Sequence, residues 1–165
     1  MQPGMLPNIN HATQRVFAKL HIQLIAPPAA GCCGAIRLHL SDEPGALQDM
    51  RRNIDAWWPL IQQEQIQTIV MNAAGCGVTV KDYGHLLQND LAYAKKAQVI
   101  SAMTKDISEI LPKYAEQLTT QITPKKSASV IYHPPCTLQH GQKIRGNVEE
   151  LLSKIGIQVN LCADS

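Results

Sequence analysis

The sequence has few aromatic residues and no long apolar run, and each shortage excludes a class of protein. One Phe, two Trp and four Tyr among 165 residues are too few for a surface that stacks nucleic-acid bases. The net charge is +2, without a run of lysines or arginines, so no nucleic acid is expected as a partner. No stretch approaches the roughly 18 apolar residues of a membrane span. No signal-peptide pattern is present, so the cytoplasm is the expected compartment.

Phosphate-binding glycine loops, paired-carboxylate sites and nucleotide fingerprints are also lacking, which leaves the cysteines to carry chemistry. There are five cysteines, two of them adjacent, and this odd number does not fit a secreted disulfide framework. In a reducing compartment, grouped cysteines more often bind metal or carry out redox chemistry. Cys162, by contrast, fits the description of a small core residue.

Short apolar runs predict strands, and the segments between them have helical periodicity. The predicted strands are 22–26, 66–71, 128–132 and 157–161. Their nearly continuous apolar character suits strands that are covered on both faces. Helical stripes are formed by Leu47, Met50, Ile54, Trp57 and Ile61 and, further on, by Met103, Ile107 and Ile110. This alternation predicts an α/β fold, with a mostly parallel sheet and flanking helices.

A short internal repeat predicts that the fold has two pseudo-repeated halves. Residues 16–24 read VFAKLHIQL and residues 151–159 read LLSKIGIQV, an offset of 135 positions. Both copies have the pattern of an amphipathic helix that runs through a tight turn into a strand. The predicted organisation is a first unit with its following helices at 1–116, a connector at 117–127 and the start of a second unit at 128–165.

Four cysteines each follow a predicted strand: Cys32, Cys33, Cys76 and Cys136. If the strands are parallel, all four thiols meet at the carboxyl edge of the sheet, where α/β folds place their ligands. Glycines beside the first three let the backbone bend tightly around a bulky group. Helix starts after Cys76 and Cys136 favour the thiolate, which is the form that binds metal.

This pattern resembles the cysteine-rich CCG domain, a duplicated iron–sulfur-binding unit. The domain occurs in heterodisulfide reductases, in lactate-utilisation iron–sulfur proteins and in glycolate oxidase iron–sulfur subunits. The stretches most similar to the last group are CCG at 32–34, RRNIDAWW at 51–58, AAGCGVTVKDYGHLL at 73–87 and HPPCTLQHGQKIRG at 133–146. The resemblance extends over essentially the whole chain.

The resemblance implies that Cys32, Cys33 and Cys76 are the first unit's ligands for a 4Fe–4S cluster in the intact subunit, and that Cys136 opens the ligand set of the second unit. It implies electron transfer from a flavin-containing partner subunit, where glycolate is oxidised to glyoxylate, towards a membrane quinone. Such a subunit is expected in the cytoplasm, peripheral at the inner face of the cell membrane. The substrate itself is expected to be handled elsewhere in the complex.

Three departures from the family pattern affect these expectations. The leading cysteine of the first unit would precede Met1, the second CCG would follow Ser165, and Ala73 stands where some relatives carry a cysteine. The family's ferredoxin-like amino-terminal domain is also missing. The chain is therefore expected to be a fragment of a longer subunit. Because a four-iron cluster normally draws on four thiolates, the isolated chain is expected to hold Zn²⁺ or no metal and to be inactive alone.

Two alternatives from other functional classes stay open. A thiol-based redox enzyme or switch would use Cys76 as the nucleophile and His85 or His133 as the base. A noncatalytic docking domain would bind the flavin subunits without taking part in electron transfer. Residues 81–83, Lys-Asp-Tyr, either line the edge of the cluster or form an ordinary helix start.

Overall fold

The described chain alternates helices with short strands in a computed structural model that covers residues 6–121 and 129–162. The helices are α1 (Pro7–Lys19), α2 (Ala35–His39), α3 (Glu43–Gln62), α4 (Ala74–Lys81), α5 (Tyr83–Leu86), α6 (Ala94–Met103), α7 (Ile107–Ile110), α8 (Ala115–Gln121) and α9 (Asn147–Lys154). The strands are β1 (Ile69–Met71), β2 (Thr104–Asp106), β3 (Ser129–Tyr132) and β4 (Gln158–Leu161). A 3₁₀ turn spans Leu111–Tyr114 and a π-helical turn spans Thr137–Gly141.

The strands pair in parallel, which confirms the predicted α/β class. β1 pairs with β2, with Ile69 opposite Thr104. β3 pairs with β4, with Ser129 opposite Gln158. Within the described residues these pairs form two separate two-stranded sheets, whereas the sequence led us to expect one. The strands predicted at 66–71 and 157–161 are present but shorter than expected, and the strand predicted at 128–132 is present at 129–132, with residue 128 outside the described part of the chain.

The predicted strand at 22–26 is wrong, because these residues are not paired in a sheet. The chain passes here from one compact unit to the other, between Leu24 and Ile25. The following residues, Pro27 and Pro28, lack the backbone N–H that a sheet ladder requires. A sheet ladder could therefore not continue beyond Ala26.

Strand β2 interrupts the helical stripe that was predicted from Met103 to Ile110. α6 ends at Met103, three residues form β2, and α7 begins at Ile107. Thr104 and Asp106 are only 1% and 4% exposed. A short strand made of polar residues lacks the apolar run by which strands are recognised in a sequence, so the periodicity argument missed it.

The chain divides into two compact units, which are named here for their order along the sequence: the outer unit (1–24 with 107–165) and the inner unit (25–106). Cys32, Cys33 and Cys76 belong to the inner unit and Cys136 to the outer one. The predicted repeat units, 1–116 and 128–165, describe the chain in a different way and stay a prediction. Within the predicted connector at 117–127, residues 117–121 belong to α8, and the rest lie outside the described residues.

The long helix α3 forms the centre of the inner unit. It begins at the N-cap Asp42, whose carboxylate accepts a hydrogen bond of 3.1 Å from the Gly45 amide, as expected of an acidic N-cap. Its predicted stripe is confirmed, since Met50 and Ile54 are fully buried and Trp57 is 9% exposed. The cluster that surrounds this stripe draws residues from every helix of the inner unit, and Cys33 is one of them.

The two segments of the internal repeat end their helices in the same way within the outer unit. His21 follows α1 with φ +58°, and Gly156 follows α9 with φ +81°. Ile22 N–H bonds to the Phe17 carbonyl at 3.0 Å, and Ile157 N–H bonds to the Leu152 carbonyl at 2.9 Å. This is the Schellman arrangement of a helix C-terminus. The local likeness is consistent with a repeat, although helix ends of this kind are common.

Candidate functional site

Strand β1 and helix α4 position Cys76. β1 ends at Met71, and Cys76 is the third residue of α4, in its first turn. The amide groups at a helix N-terminus point toward the end of the axis and favour negative charge there. The helix was predicted to start after Cys76, but it begins two residues earlier, at Ala74; the thiol still lies in the first turn, where a thiolate is favoured.

The Cys32-Cys33-Gly34 loop turns one thiol outward and one inward. Cys32 is exposed, whereas Cys33 is 7% exposed and packs in the core of the inner unit. Gly34 makes this turn possible with φ +89°, a conformation that costs other residues about 1–2 kcal/mol. A Cβ at Gly34 would also lie only 2.9 Å from the Ala46 carbonyl oxygen, so glycine is required here for space as well as for backbone conformation.

Cys33 and Cys76 form a hydrogen-bonded thiol pair. The bond between the two side chains and burial raise the pKa of Cys33 far above its ordinary value. The same bond lowers the pKa of Cys76 to about 7. Near neutral pH, Cys33 therefore keeps its proton, and its S–H donates a hydrogen bond to the Cys76 sulfur, which is ionised in part of the molecules. Nearby Cys32 opposes this ionisation electrostatically, so the three sulfurs of the inner unit influence one another.

Two buried polar side chains hold the backbone of the cysteine loop. Asn53 accepts a 2.7 Å bond from the Gly31 amide and donates a 2.7 Å bond to the Cys32 carbonyl. Tyr83 donates a 2.9 Å bond to the Cys33 carbonyl and accepts one from Asn53 at 3.1 Å. Burial raises the pKa of Tyr83, which keeps this hydroxyl protonated and able to donate.

Sequence reasoning missed Asn53 and left Tyr83 undecided. The available signal for Asn53 was an amide side chain beside Met50, Ile54 and Trp57 on the buried stripe of α3, where an unpaired polar group is costly. For residues 81–83, the structure gives a third role. Tyr83 begins the short helix α5, and its hydroxyl bonds to the cysteine loop.

A salt-bridge cluster joins α2, which follows the loop directly, to α3. The buried carboxylate of Asp49 lies 3.1 Å from Arg37 Nε and 2.7 Å from Arg52 Nη2. The Arg52 guanidinium lies close over Gly31, where a Cβ would be 2.8 Å from it. A charged side chain therefore lies against the start of the cysteine loop.

Cys136 lies in the outer unit, at the N-cap of the π-helical turn, and is exposed. The structure thus brings Cys32, Cys33 and Cys76 together in one unit, and it places Cys136 in the other. The prediction that all four thiols lie at one edge of a single sheet is wrong in its premise, because the predicted strand before Cys32 is not formed and the sheets are separate.

The donor set of the inner unit fits a thiolate-ligated group in its chemistry but is not a complete ligand set. Thiolates are the ligands of iron–sulfur clusters and of structural zinc, and Cys33 and Cys76 are already in contact. Within residues 6–121 and 129–162, however, no three or more His, Cys, Asp or Glu side chains are placed so that they could hold a metal ion.

The histidines considered as bases are placed elsewhere. His85 is exposed, and its Nδ1 lies 3.3 Å from Gln88 Nε2. His133 is exposed and belongs to the outer unit. The partner that lowers the pKa of Cys76 is thus the thiol of Cys33, which weakens the case for a cysteine–histidine nucleophile.

In the described part of the chain, no helix combines the length and the apolar character needed to cross a membrane.

Comparison with known proteins agrees with the motifs. Residues 1–81 match the CCG family, described as "Cysteine-rich domain", and this segment contains Cys32, Cys33 and Cys76. The chain is 40% identical over 99% of its length to the glycolate oxidase iron-sulfur subunit of Escherichia coli (strain K12), and it covers 39% of that protein. These matches confirm the resemblance that the motifs predicted.

More distant relatives carry related names. Over 67% of the chain, identity is 29% to the probable glycolate oxidase iron-sulfur subunit of Bacillus subtilis (strain 168), of which the chain covers 24%. Over 78% of the chain, identity is 24% to lactate utilization protein A of Bacillus licheniformis, of which it covers 51%. The chain thus spans between about a quarter and a half of the length of these relatives. No solved structure matches it significantly.

Proposed function

We propose that this chain, which carries a CCG cysteine-rich domain at residues 1–81, is the cysteine-rich part of an iron–sulfur subunit that transfers electrons in a glycolate-oxidising complex. The observation that carries the proposal is the contact between Cys33 and Cys76 beside exposed Cys32, inside the segment that matches the family. Sequence separation between Cys33 and Cys76 is 43 residues, so the fold, and not local chain connectivity, brings these thiols together.

Cys32, Cys33 and Cys76 are the proposed ligands of the first repeat unit, and Cys136 is proposed to begin the separate ligand set of the second. When bound, a 4Fe–4S cluster supplies one-electron transfer. Cys76 presents its sulfur as a thiolate at a helix N-terminus, Cys33 holds its own sulfur in an apolar wall, and Cys32 lies on the exposed side. The burial of Cys33 keeps water from one side of the site, which tunes the potential of a cluster.

The proposed partners are flavin-containing subunits of the same complex, with a membrane quinone as the electron acceptor. The names of the relatives, which describe a subunit of glycolate oxidase, support a multi-subunit assembly. The proposed place of the assembly is the cytoplasmic face of the membrane. Oxidation of the 2-hydroxy acid is proposed to occur on the flavin subunits, because the site described here offers thiols and no base aligned with a substrate.

One observation favours a second candidate, a thiol-based redox activity. A thiolate next to a protonated thiol, as in Cys76 and Cys33, is the reduced form of a pair that can be oxidised to a disulfide by exchange with the disulfide of a partner molecule, which is reduced to two thiols. This activity would need no metal and would depend on Cys33 and Cys76 but not on Cys32. Dependence on Cys32 therefore separates the two candidates.

Metal and sulfide analysis of protein purified without oxygen tests the proposed function. As purified, the isolated chain is expected to hold zinc or no metal. After incubation with Fe²⁺ and sulfide, we expect bound iron, acid-labile sulfide and a broad visible absorption band. Cys32→Ser, Cys33→Ser and Cys76→Ser should each lose this absorption, and Cys162→Ser is the matched control that should keep it. Failure of the wild-type chain to take up iron and sulfide, or uptake that these three substitutions leave unchanged, would overturn the proposal.

A further inference from the structure

Two of the motifs that carry the family resemblance contain no proposed ligand. They are RRNIDAWW at 51–58 and the KDYGHLL part of 73–87. The structure places one residue of each against the cysteine loop: Asn53 from α3 and Tyr83 from α5. Both are almost wholly buried, with exposures of 1% and 0%. A buried amide and a buried hydroxyl need partners, and the identity of those partners indicates what the residues do.

The bonds of these two side chains go to three consecutive residues of the loop. Asn53 takes the Gly31 amide on its oxygen and gives one N–H to the Cys32 carbonyl. Its other N–H goes to the Tyr83 hydroxyl, which gives its own proton to the Cys33 carbonyl. The Asn53 side chain thus uses both of its N–H donors and its oxygen as an acceptor, and the Tyr83 hydroxyl both accepts and donates. Each bond to the loop joins residues that are 21 to 50 positions apart.

We propose that Asn53 and Tyr83, named here the Asn53–Tyr83 clamp, are positioning residues that fix the backbone of the cysteine loop before metal binds. The inference rests on the proposed function, in which these thiols are ligands. Peptide carbonyls held from the core determine where the Cα–Cβ bonds of Cys32 and Cys33 point. Because α3 and α5 are core elements, the loop takes its shape from the folded domain and does not wait for a metal to impose it.

Chemistry of metal sites supports this assignment. Residues that hold the ligands without touching the metal change metal affinity by about 10- to 100-fold when they are replaced. Buried polar networks that are fully satisfied also make one conformation unique. The clamp fits both descriptions. Its hydrogen bonds go to peptide groups of the loop and not to the thiols, and both of its side chains have hydrogen-bond partners.

The test compares Tyr83→Phe and Asn53→Leu with two controls from the same unit. Tyr83→Phe removes one hydroxyl and keeps the ring, so it should fold even if Asn53→Leu does not. Tyr93→Phe removes a hydroxyl that donates to Asp55 at 2.9 Å, away from the loop. Thr104→Val removes a buried hydroxyl that donates to the Ile100 carbonyl at 2.7 Å, which controls for the loss of any buried hydrogen bond.

The first readout is alkylation of the metal-free, reduced chain, resolved for each cysteine by mass spectrometry. Buried Cys33 should react about tenfold faster in the clamp variants, since removal of a buried hydrogen bond makes local opening easier. Cys136 in the outer unit is the internal reference and should not change. The two controls should leave the Cys33 rate near that of the wild type.

The second readout is titration with Co²⁺, followed by thiolate-to-metal absorption. We expect about 10- to 100-fold weaker binding in the clamp variants and wild-type binding in the controls. Equal alkylation and equal Co²⁺ binding in clamp and control variants would refute the clamp. If wild-type protein binds neither Co²⁺ nor iron with sulfide, but Cys33 still reacts faster in the clamp variants alone, the proposed function fails while the positioning of the loop stands.

Discussion

The two cysteine loops of this chain are built in different ways. In the first loop, residues 31–34, side chains from distant helices bind the backbone, and Cys33 is buried among apolar residues. In the second loop, residues 133–136, the described bonds are local: Gln139 binds the Pro134 carbonyl through its side chain at 3.1 Å and the Pro135 carbonyl through its amide at 3.0 Å. Cys136 itself is exposed.

This difference bears on how each loop responds to change elsewhere. A loop held by long-range bonds takes its conformation from the core, so core substitutions should be felt at its thiols. A loop held by bonds within five residues depends on its own sequence and should tolerate changes in the core. The first loop is therefore the preorganised part of the candidate site, and the following substitutions test the contrast, beginning with the largest expected effect.

Gly34→Ala should destabilise the inner unit by about 2–4 kcal/mol, which combines left-handed strain with overpacking against a backbone atom. The added Cβ would lie 2.9 Å from the Ala46 carbonyl oxygen. Both tryptophans of the chain, Trp57 and Trp58, lie in α3, so their fluorescence during urea unfolding reports on this unit.

Gly146→Ala is the matched control in the outer unit. Gly146 has φ +79°, but a Cβ there would meet nothing within 4 Å. Only the backbone strain remains, so the expected loss is about 1 kcal/mol, measured by circular dichroism. Equal losses for the two substitutions would contradict the close packing of the first loop.

Asp49→Asn should destabilise the inner unit by about 2 kcal/mol, because the buried carboxylate makes hydrogen bonds with charged partners. Its two partners, Arg37 and Arg52, lie on either side of it at 3.1 and 2.7 Å. The measurement is again urea unfolding read by tryptophan fluorescence. Glu150→Gln, which breaks an exposed ion pair with Lys154 in α9, should cost less than about 0.5 kcal/mol. A comparable loss in both variants would mean that burial of Asp49 contributes nothing.

Alkylation of Cys76 at different pH values tests the thiol pair. Because its pKa is about 7, the rate in the metal-free chain should reach half its plateau near pH 7 and fall as the pH is lowered and the thiolate is protonated. Cys33→Ala removes the hydrogen bond that lowers this pKa. The pKa should then rise toward the ordinary value of a thiol, and the rate at pH 6 should fall by about tenfold or more.

Cys33→Ser is the control for that measurement, since its hydroxyl can still donate to the Cys76 sulfur. Its profile should stay closer to that of the wild type than the profile of Cys33→Ala does. If both variants give the wild-type midpoint, Cys33 is not the cause of the low pKa, and the helix N-terminus alone would account for it.

Much of the framework could be predicted from local patterns in the sequence. The stripe of α3 is set by helical spacing, and Cys76 follows a short apolar strand directly, so both were accessible. For the thiol pair, the sequence allowed us to predict only that cysteines are grouped. The hydrogen bonds of Asn53 could not be predicted, because its partners lie more than twenty residues away and nothing local marks them.

The errors have a common physical origin. Placing four thiols at one edge required one sheet, and that sheet required a strand at 22–26, where the chain instead crosses between the two units. β2 was missed because Thr104 and Asp106 are buried as polar residues. In both cases, the secondary structure depends on tertiary contacts, and local propensity predicted the opposite: a strand at 22–26 and no strand at β2.

The smallest expected effect belongs to His21→Gly. This substitution lies in the outer unit and tests whether the first loop is independent of that unit. His21 takes φ +58° at the end of α1, where the equivalent position after α9 is Gly156. Glycine should relieve this strain and stabilise the outer unit by about 0.5–1 kcal/mol, seen by circular dichroism. The reverse change, Gly156→Ala, should destabilise it by about 1 kcal/mol. Neither should alter the alkylation rate of Cys33, because the first loop takes its conformation from α3 and α5. A change in that rate would show that the first loop depends on the outer unit, and the contrast between the two loops would then not hold.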